Sequence, residues 1–201
     1  MDIKYFDNSA TTRIKKEVLE EMLLFLTVQY GNPSSIYSIG RESRRAIEEA
    51  RIRVASLINC KPEEIYFTSC GSESDNTAIK GIAYTNQDKG KHIITTKIEH
   101  PAILNTCKNL QKKGFEITYI DVDENGFINL QTLINSIRKD TILISVMYAN
   151  NEIGSIQPIE EISQIAHKKN IIFHTDAVQA VRKYRNKCKK NGYRYAFFIR
   201  T

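Results

Sequence analysis

No two cysteines in this chain are spaced as CxxC. Cys60, Cys70, Cys107 and Cys188 lie far apart, which argues against a disulfide framework or a zinc site and for reduced, mostly buried thiols. Long apolar runs are missing as well. The most apolar stretch, Met22 to Val28, falls far short of the roughly 20 residues that cross a bilayer, and the polar N-terminus lacks the layout of a secretion signal. A soluble cytoplasmic protein with no membrane partner is the expectation. Neither GxGxxG nor GxxxxGK[ST] occurs, which argues against a dinucleotide enzyme and a nucleotide triphosphatase. There is no internal repeat. Acidic residues are absent from Val181 to Thr201, a stretch with eight lysines and arginines. Residues 1–180 hold 21 basic and 23 acidic residues, so the net charge of +6 is a property of the tail.

What is present is a globular chain of 201 residues, 41% hydrophobic, long enough for one sizeable core. Apolar positions spaced by three and four predict helices over Ile14–Gln29 and Gly40–Ile58, the first closed by Gly31 with Pro33 beyond it. Short apolar runs predict strands at Glu64–Thr68, His92–Thr96, Glu116–Ile120, Thr141–Met147 and Asn170–His174. Helical stretches lie between them, at Ser72–Tyr84, Pro101–Lys113, Asn129–Ile137 and Ile159–Lys168. Strands apolar on both faces that alternate with helices imply an α/β fold, a mostly parallel sheet with helices on both faces.

Ligands of such sheets sit beyond the carboxyl ends of the strands, and four polar segments fall there. In TSCGSESDN, Gly71 and Ser72 open a helix whose free N–H groups suit a phosphate, although Gly and Ser serve equally as ordinary caps. In KIEHPAI, His100 precedes Pro101 at a helix start; a lone histidine is usually structural. NNEIG places Asn150, Asn151 and Glu152 after a strand, where a bare polar loop is the simplest reading. In HTDAVQ, an apolar strand delivers His174, Asp176 and Gln179 to its end, and a carboxylate there needs a cation or strong hydrogen bonds.

Taken together, SCGSESDN, EHPAI, NNEIG and HTDAVQ, with YFDNSATT and YGNPSS near the N-terminus, resemble the cysteine desulfurases of iron-sulfur cluster assembly. These are a branch of the class-V aminotransferase-like, pyridoxal-phosphate-dependent enzymes, and the resemblance spans residues 3–180. It implies the large domain of the fold-type-I transferases, incomplete at its C-terminal side. Residues 1–13 would belong to the family's small domain, 14–180 to a partial cofactor-binding large domain and 181–201 to the basic tail. The resemblance gives Gly71 and Ser72 the cofactor phosphate, Asp176 the pyridinium nitrogen, and Gln179 the ring's 3-oxygen. Asn151 would stand beside that oxygen and the substrate carboxylate, and His100 would stack on the ring as a catalytic acid-base group. No metal is implied. The implied substrate is L-cysteine, converted to alanine while a protein cysteine takes the sulfur; the implied partners are a second subunit and a sulfur acceptor such as an iron-sulfur scaffold.

The family's imine-forming lysine, in an SGHK-like context, and its persulfide cysteine both follow the DAVQ segment. Neither motif occurs, and none of Lys183, Lys187, Lys189, Lys190 or Cys188 stands in such a context. One synonymous A-rich coding of Val181 to Thr201 followed by a TAA stop, with a single adenine removed after the first codon, reads VGNIEINVKKMDIDMLSLSGH and then a codon beginning AA, as lysine's does. The tail is therefore expected to be an out-of-frame translation on an inactive fragment. Two other classes stay open. One is another member of the cofactor class, such as a selenocysteine lyase or an aminotransferase. The other is a non-catalytic module whose basic tail, interleaved with Tyr184, Tyr193, Tyr195, Phe197 and Phe198, binds nucleic acid by phosphate contacts and stacking.

Overall fold

The computed structural model describes residues 4–181 and three short strand segments beyond them. Most of the basic tail, with Cys188 and the aromatic side chains read above as a nucleic-acid surface, lies outside the described residues. The chain divides into two compact units, Met1–Tyr66 and Phe67–Thr201.

The first unit holds α1 (Lys16–Thr27) and α2 (Ser38–Ile58), within two or three residues of the periodicity reading. Helix α2 stops at Asn59, whose left-handed backbone (φ 57°) lets its N–H reach back to the Ala55 and Ser56 carbonyls. The YGNPSS segment packs against the start of α2 so tightly that a Cβ on Gly40 would lie 2.5 Å from the Ser35 carbonyl oxygen and 2.6 Å from that of Asn32. The strand expected at Glu64–Thr68 does not form. Pro62–Glu64 is a single 3-10 turn closed by Lys61 N–H on the Glu64 carboxylate at 2.8 Å, and no ladder includes residues 65–68. The proline at the first position sets the turn, and Arg51 holds the Ile65 carbonyl that a ladder would have used.

In the second unit the strands are β1 (His92–Thr96), β2 (Glu116–Ile120), β3 (Thr141–Ser145) and β4 (Ile172–Asp176), all paired in parallel in the order β2-β1-β3-β4. Beyond Val181, β5 (Lys189–Lys190) and β6 (Tyr193–Arg194) form a small antiparallel pair, and β7 (Ala196–Phe198) extends the sheet in parallel beside β4. Every residue of β1 and β3 is buried, as a sheet covered on both faces requires.

The covering helices are α3 (Gly71–Thr85), α4 (Pro101–Gln111), α5 (Leu130–Ser136) and α6 (Ile159–Lys168). Alternation along the strands divides the core. Ile93 and Leu143 meet Ile79 and Ala83 of α3 and Ile103, Cys107 and Leu110 of α4; Ile94, Ile144 and Phe173 meet Leu133 of α5 and Ile159, Ile162 and Ala166 of α6. Leu110 and Ile162 are fully buried, and burying a side chain of that size contributes roughly 1.5–3 kcal/mol. Among the described residues no helix is long and apolar enough to cross a membrane.

Candidate functional site

The carboxyl ends of β1, β3 and β4 and the N-terminus of α3 converge in the second unit. Gly71 is buried and opens α3, whose cap residue Cys70 makes no side-chain capping bond. The Glu73 carboxylate of the same turn is committed to the Ser69 N–H and hydroxyl, both at 2.6 Å. Among the described residues the first N–H groups of α3 meet no carbonyl or carboxylate, only the Cys70 thiol beside them, and with the positive end of the helix behind them they suit a phosphate next to the exposed Ser72.

His100 caps α4, its Nδ1 accepting the Ala102 N–H at 3.1 Å, with Pro101 at the first helical position. After β3, backbone pairing continues as Tyr148 N–H donates to the Asp176 carbonyl at 2.8 Å. The chain then turns at Asn150, whose Oδ1 accepts the N–H groups of Glu152 and Ile153 at 2.8 and 3.0 Å. The Asn150 oxygen is therefore spent on the turn. The half-buried Asn151 next to it makes no side-chain hydrogen bond among the described residues. Asp176 ends β4, 8% exposed, with Oδ1 accepting the Val178 N–H at 2.9 Å, and Gln179 follows, half-buried, in the turn.

Electrostatics link His100 and Asp176 with two further acids. Burial raises the Asp176 carboxyl above its ordinary range, while the Val178 N–H and then the nearby His100 pull it back, which places His100 and Asp176 in each other's field. Two acids that the sequence reading left without a role lie close by. Asp75, one turn into α3, is pushed up to about 7 by burial and then by the Asp176 charge; Glu99, before His100, is pushed up to about 8 chiefly by burial. His174 sits 3.7 Å from Asp75 but is driven down to about 3 by burial, so the contact at neutral pH is not an ion pair. Its Nδ1 pairs with the Ser145 hydroxyl at 2.8 Å. Among the described residues no lysine or arginine reaches Asp75, Glu99 or Asp176, so the site holds acid without a cation. Glu99 stands inside the EHPAI motif, yet only its burial reveals its part. Asp75 carried the still weaker signal of one acid in a polar helix start.

The model of the class-V aminotransferase family matches residues 4–197. A cysteine desulfurase IscS of Methanosarcina thermophila is 59% identical over 177 residues, 88% of this chain and 44% of that protein. A solved NifS-like protein superposes with a TM-score of 0.89 at 45% identity, covering 92% of this chain and 52% of its own. A structure of SspA in complex with cysteine gives 0.89 at 40%, covering 92% and 54%. The chain thus spans about half the length of the relatives it matches.

Proposed function

The chain belongs to the class-V aminotransferase family, and on that footing we propose that residues 4–180 are the coenzyme-holding part of a pyridoxal-phosphate-dependent cysteine desulfurase. The observation that carries the proposal is Asp176, a buried carboxylate at a strand end with no cationic partner among the described residues. A protonated pyridine nitrogen would supply the missing charge, and the helix-start N–H groups of Gly71 and Ser72 fit the phosphate at the far end of the same small molecule. When bound, the coenzyme supplies an electron sink for bonds at the substrate α-carbon.

The chain's own residues set up that chemistry. Asp176, ionised, would hold the ring nitrogen in its protonated form. Gln179 and Asn151 offer amides to the ring oxygen and to a substrate carboxylate. His100 would stand beside the ring and could move a proton at Nε2, since Nδ1 is held by the Ala102 N–H. The proposed substrate is L-cysteine, its sulfur passing to a protein cysteine and then to an acceptor, in a homodimer. Support comes from the relatives' name and from the cysteine bound in a structural neighbour.

Val181 to Thr201 is proposed to be an out-of-frame reading of the segment that should bring the lysine, so that the chain as given binds coenzyme without releasing sulfide. Sequencing the coding DNA tests this; a frame in which no single-base change restores an SGHK-like run disproves it. The binding claim is tested by titrating the chain with pyridoxine 5′-phosphate, which has the ring and phosphate and no aldehyde to react with stray lysines. Asp176→Ala should weaken binding at least tenfold, about 1.4 kcal/mol. Equal affinity in wild type and variant would remove the reading.

A further inference from the structure

The turns that carry His100 and Asn151 come from distant parts of the chain, and side chains join them. The β1–β3 ladder ends at Thr95 opposite Ser145. Past that point Glu99, 4% exposed, accepts the Thr96 hydroxyl at 2.7 Å and the Met147 N–H at 2.9 Å, both on Oε1. A second strut runs from Asn150 Nδ2 to the Ile98 carbonyl at 3.0 Å. The Oε2 atom of Glu99 is buried with no hydrogen-bond partner among the described residues.

We propose that Glu99 is a positioning residue for the candidate site: its carboxyl braces the β1–α4 turn against the end of β3 and so fixes His100 relative to Asn151. The inference uses the proposed function for what the two residues would hold, and not for the brace itself. A carboxylate here would be a buried charge with no cation, and the groups facing it worsen the case: Asp75 from α3 and Asp176 from β4 are acids, and Cys107 of α4 is a thiol. Glu99 therefore works as a neutral acid. Its doubly bonded oxygen takes both donors, a task that a glutamine amide can perform in the same space.

The test compares Glu99→Ala, Glu99→Gln and Thr96→Val in the full chain by two readouts: pyridoxine 5′-phosphate affinity and the ring-nitrogen NMR signals of His100. In the wild type, the neutral His100 ring should carry its proton on Nε2, because Nδ1 accepts the Ala102 N–H. Glu99→Ala should lower affinity at least about tenfold and shift His100 towards the mixed tautomers of a solvated imidazole, because a misplaced group costs binding steeply. Glu99→Gln should keep both within about twofold, and Thr96→Val, which removes one of the two donors, should fall between. The proposal is overturned if Glu99→Gln fails along with Glu99→Ala, or if Glu99→Ala leaves both readouts unchanged. Should Glu99→Ala not fold, an unchanged His100 and affinity in Thr96→Val overturns it instead. If His100 responds in the variants while no form of the chain binds the probe, the brace stands and the coenzyme reading falls.

Discussion

Cys70 shows how one position can report on the site. Its thiol lies at the start of α3, exposed, and is lowered below its ordinary value by the Glu73 N–H, then the Ser69 hydroxyl and the Ser72 N–H, against the opposing Glu73 carboxylate. More thiolate is then present at neutral pH. Buried Cys107 is pushed up to about 12 by burial and stays unreactive. Iodoacetamide should label Cys70 well before Cys107, and bound pyridoxine 5′-phosphate should slow that labelling, because an anion on the same N–H groups disfavours a second negative charge. Mass-spectrometric site mapping reads both effects; unprotected Cys70 would show that no phosphate sits there. The places of Asp176 at the end of β4 and His100 at the start of α4 were legible because motif and strand-end position agree. Glu99 was legible only as a letter of the same motif, since what marks it is burial and two donors from β1 and β3, contacts that sequence spacing does not carry.

Among the elements, the legible ones were those with strong periodicity. β1, β2 and α6 fall on the residues read from the sequence, and the other helices on them within two or three. The exception was Glu64–Thr68, where an apolar run reads as a strand only if a neighbour exists to pair with it; the Pro62 turn and the Arg51 contact decide the local backbone instead. Close packing at Gly40 was equally hidden, since a glycine in a helical pattern reads as mere tolerance. Gly40→Ala gains helix propensity of about 1 kcal/mol. It also forces a Cβ into two carbonyl oxygens at 2.5 and 2.6 Å, backbone atoms that cannot swing aside. The expected result is net destabilisation of about 1–3 kcal/mol, seen as a lower urea midpoint at unchanged slope. A raised midpoint would mean that the YGNPSS loop yields.

For the whole molecule, the buried acids predict an unusual pH response. Glu99 and Asp75 keep their protons in the fold up to about pH 8 and about pH 7, whereas the unfolded chain gives them up in the ordinary carboxylate range. The folded state therefore binds more protons, and stability falls as pH rises towards 8. His174 acts the other way, since its folded value near 3 costs stability as pH falls below its ordinary value of 6.5. Between pH 6.5 and 8 Glu99 and Asp75 lower stability while the His174 contribution is already complete, so the melting temperature should drop across that window, and Glu99→Gln should flatten the drop. Calorimetry at several pH values checks this; a melting temperature that climbs over the same range would refute the protonation states given to the two acids.

The parallel sheet also sets an order of events during synthesis. β1 is central, but neither neighbour can reach it by a hairpin, and its partners arrive only with residues 116–120 and 141–145. A nascent chain must carry an apolar strand unpaired through the making of α4, and with one edge bare from the arrival of β2 until β3 follows α5. The polar strand ends are all present only once Gln179 has left the ribosome, so small-molecule capture can reward assembly at its close and cannot guide its beginning.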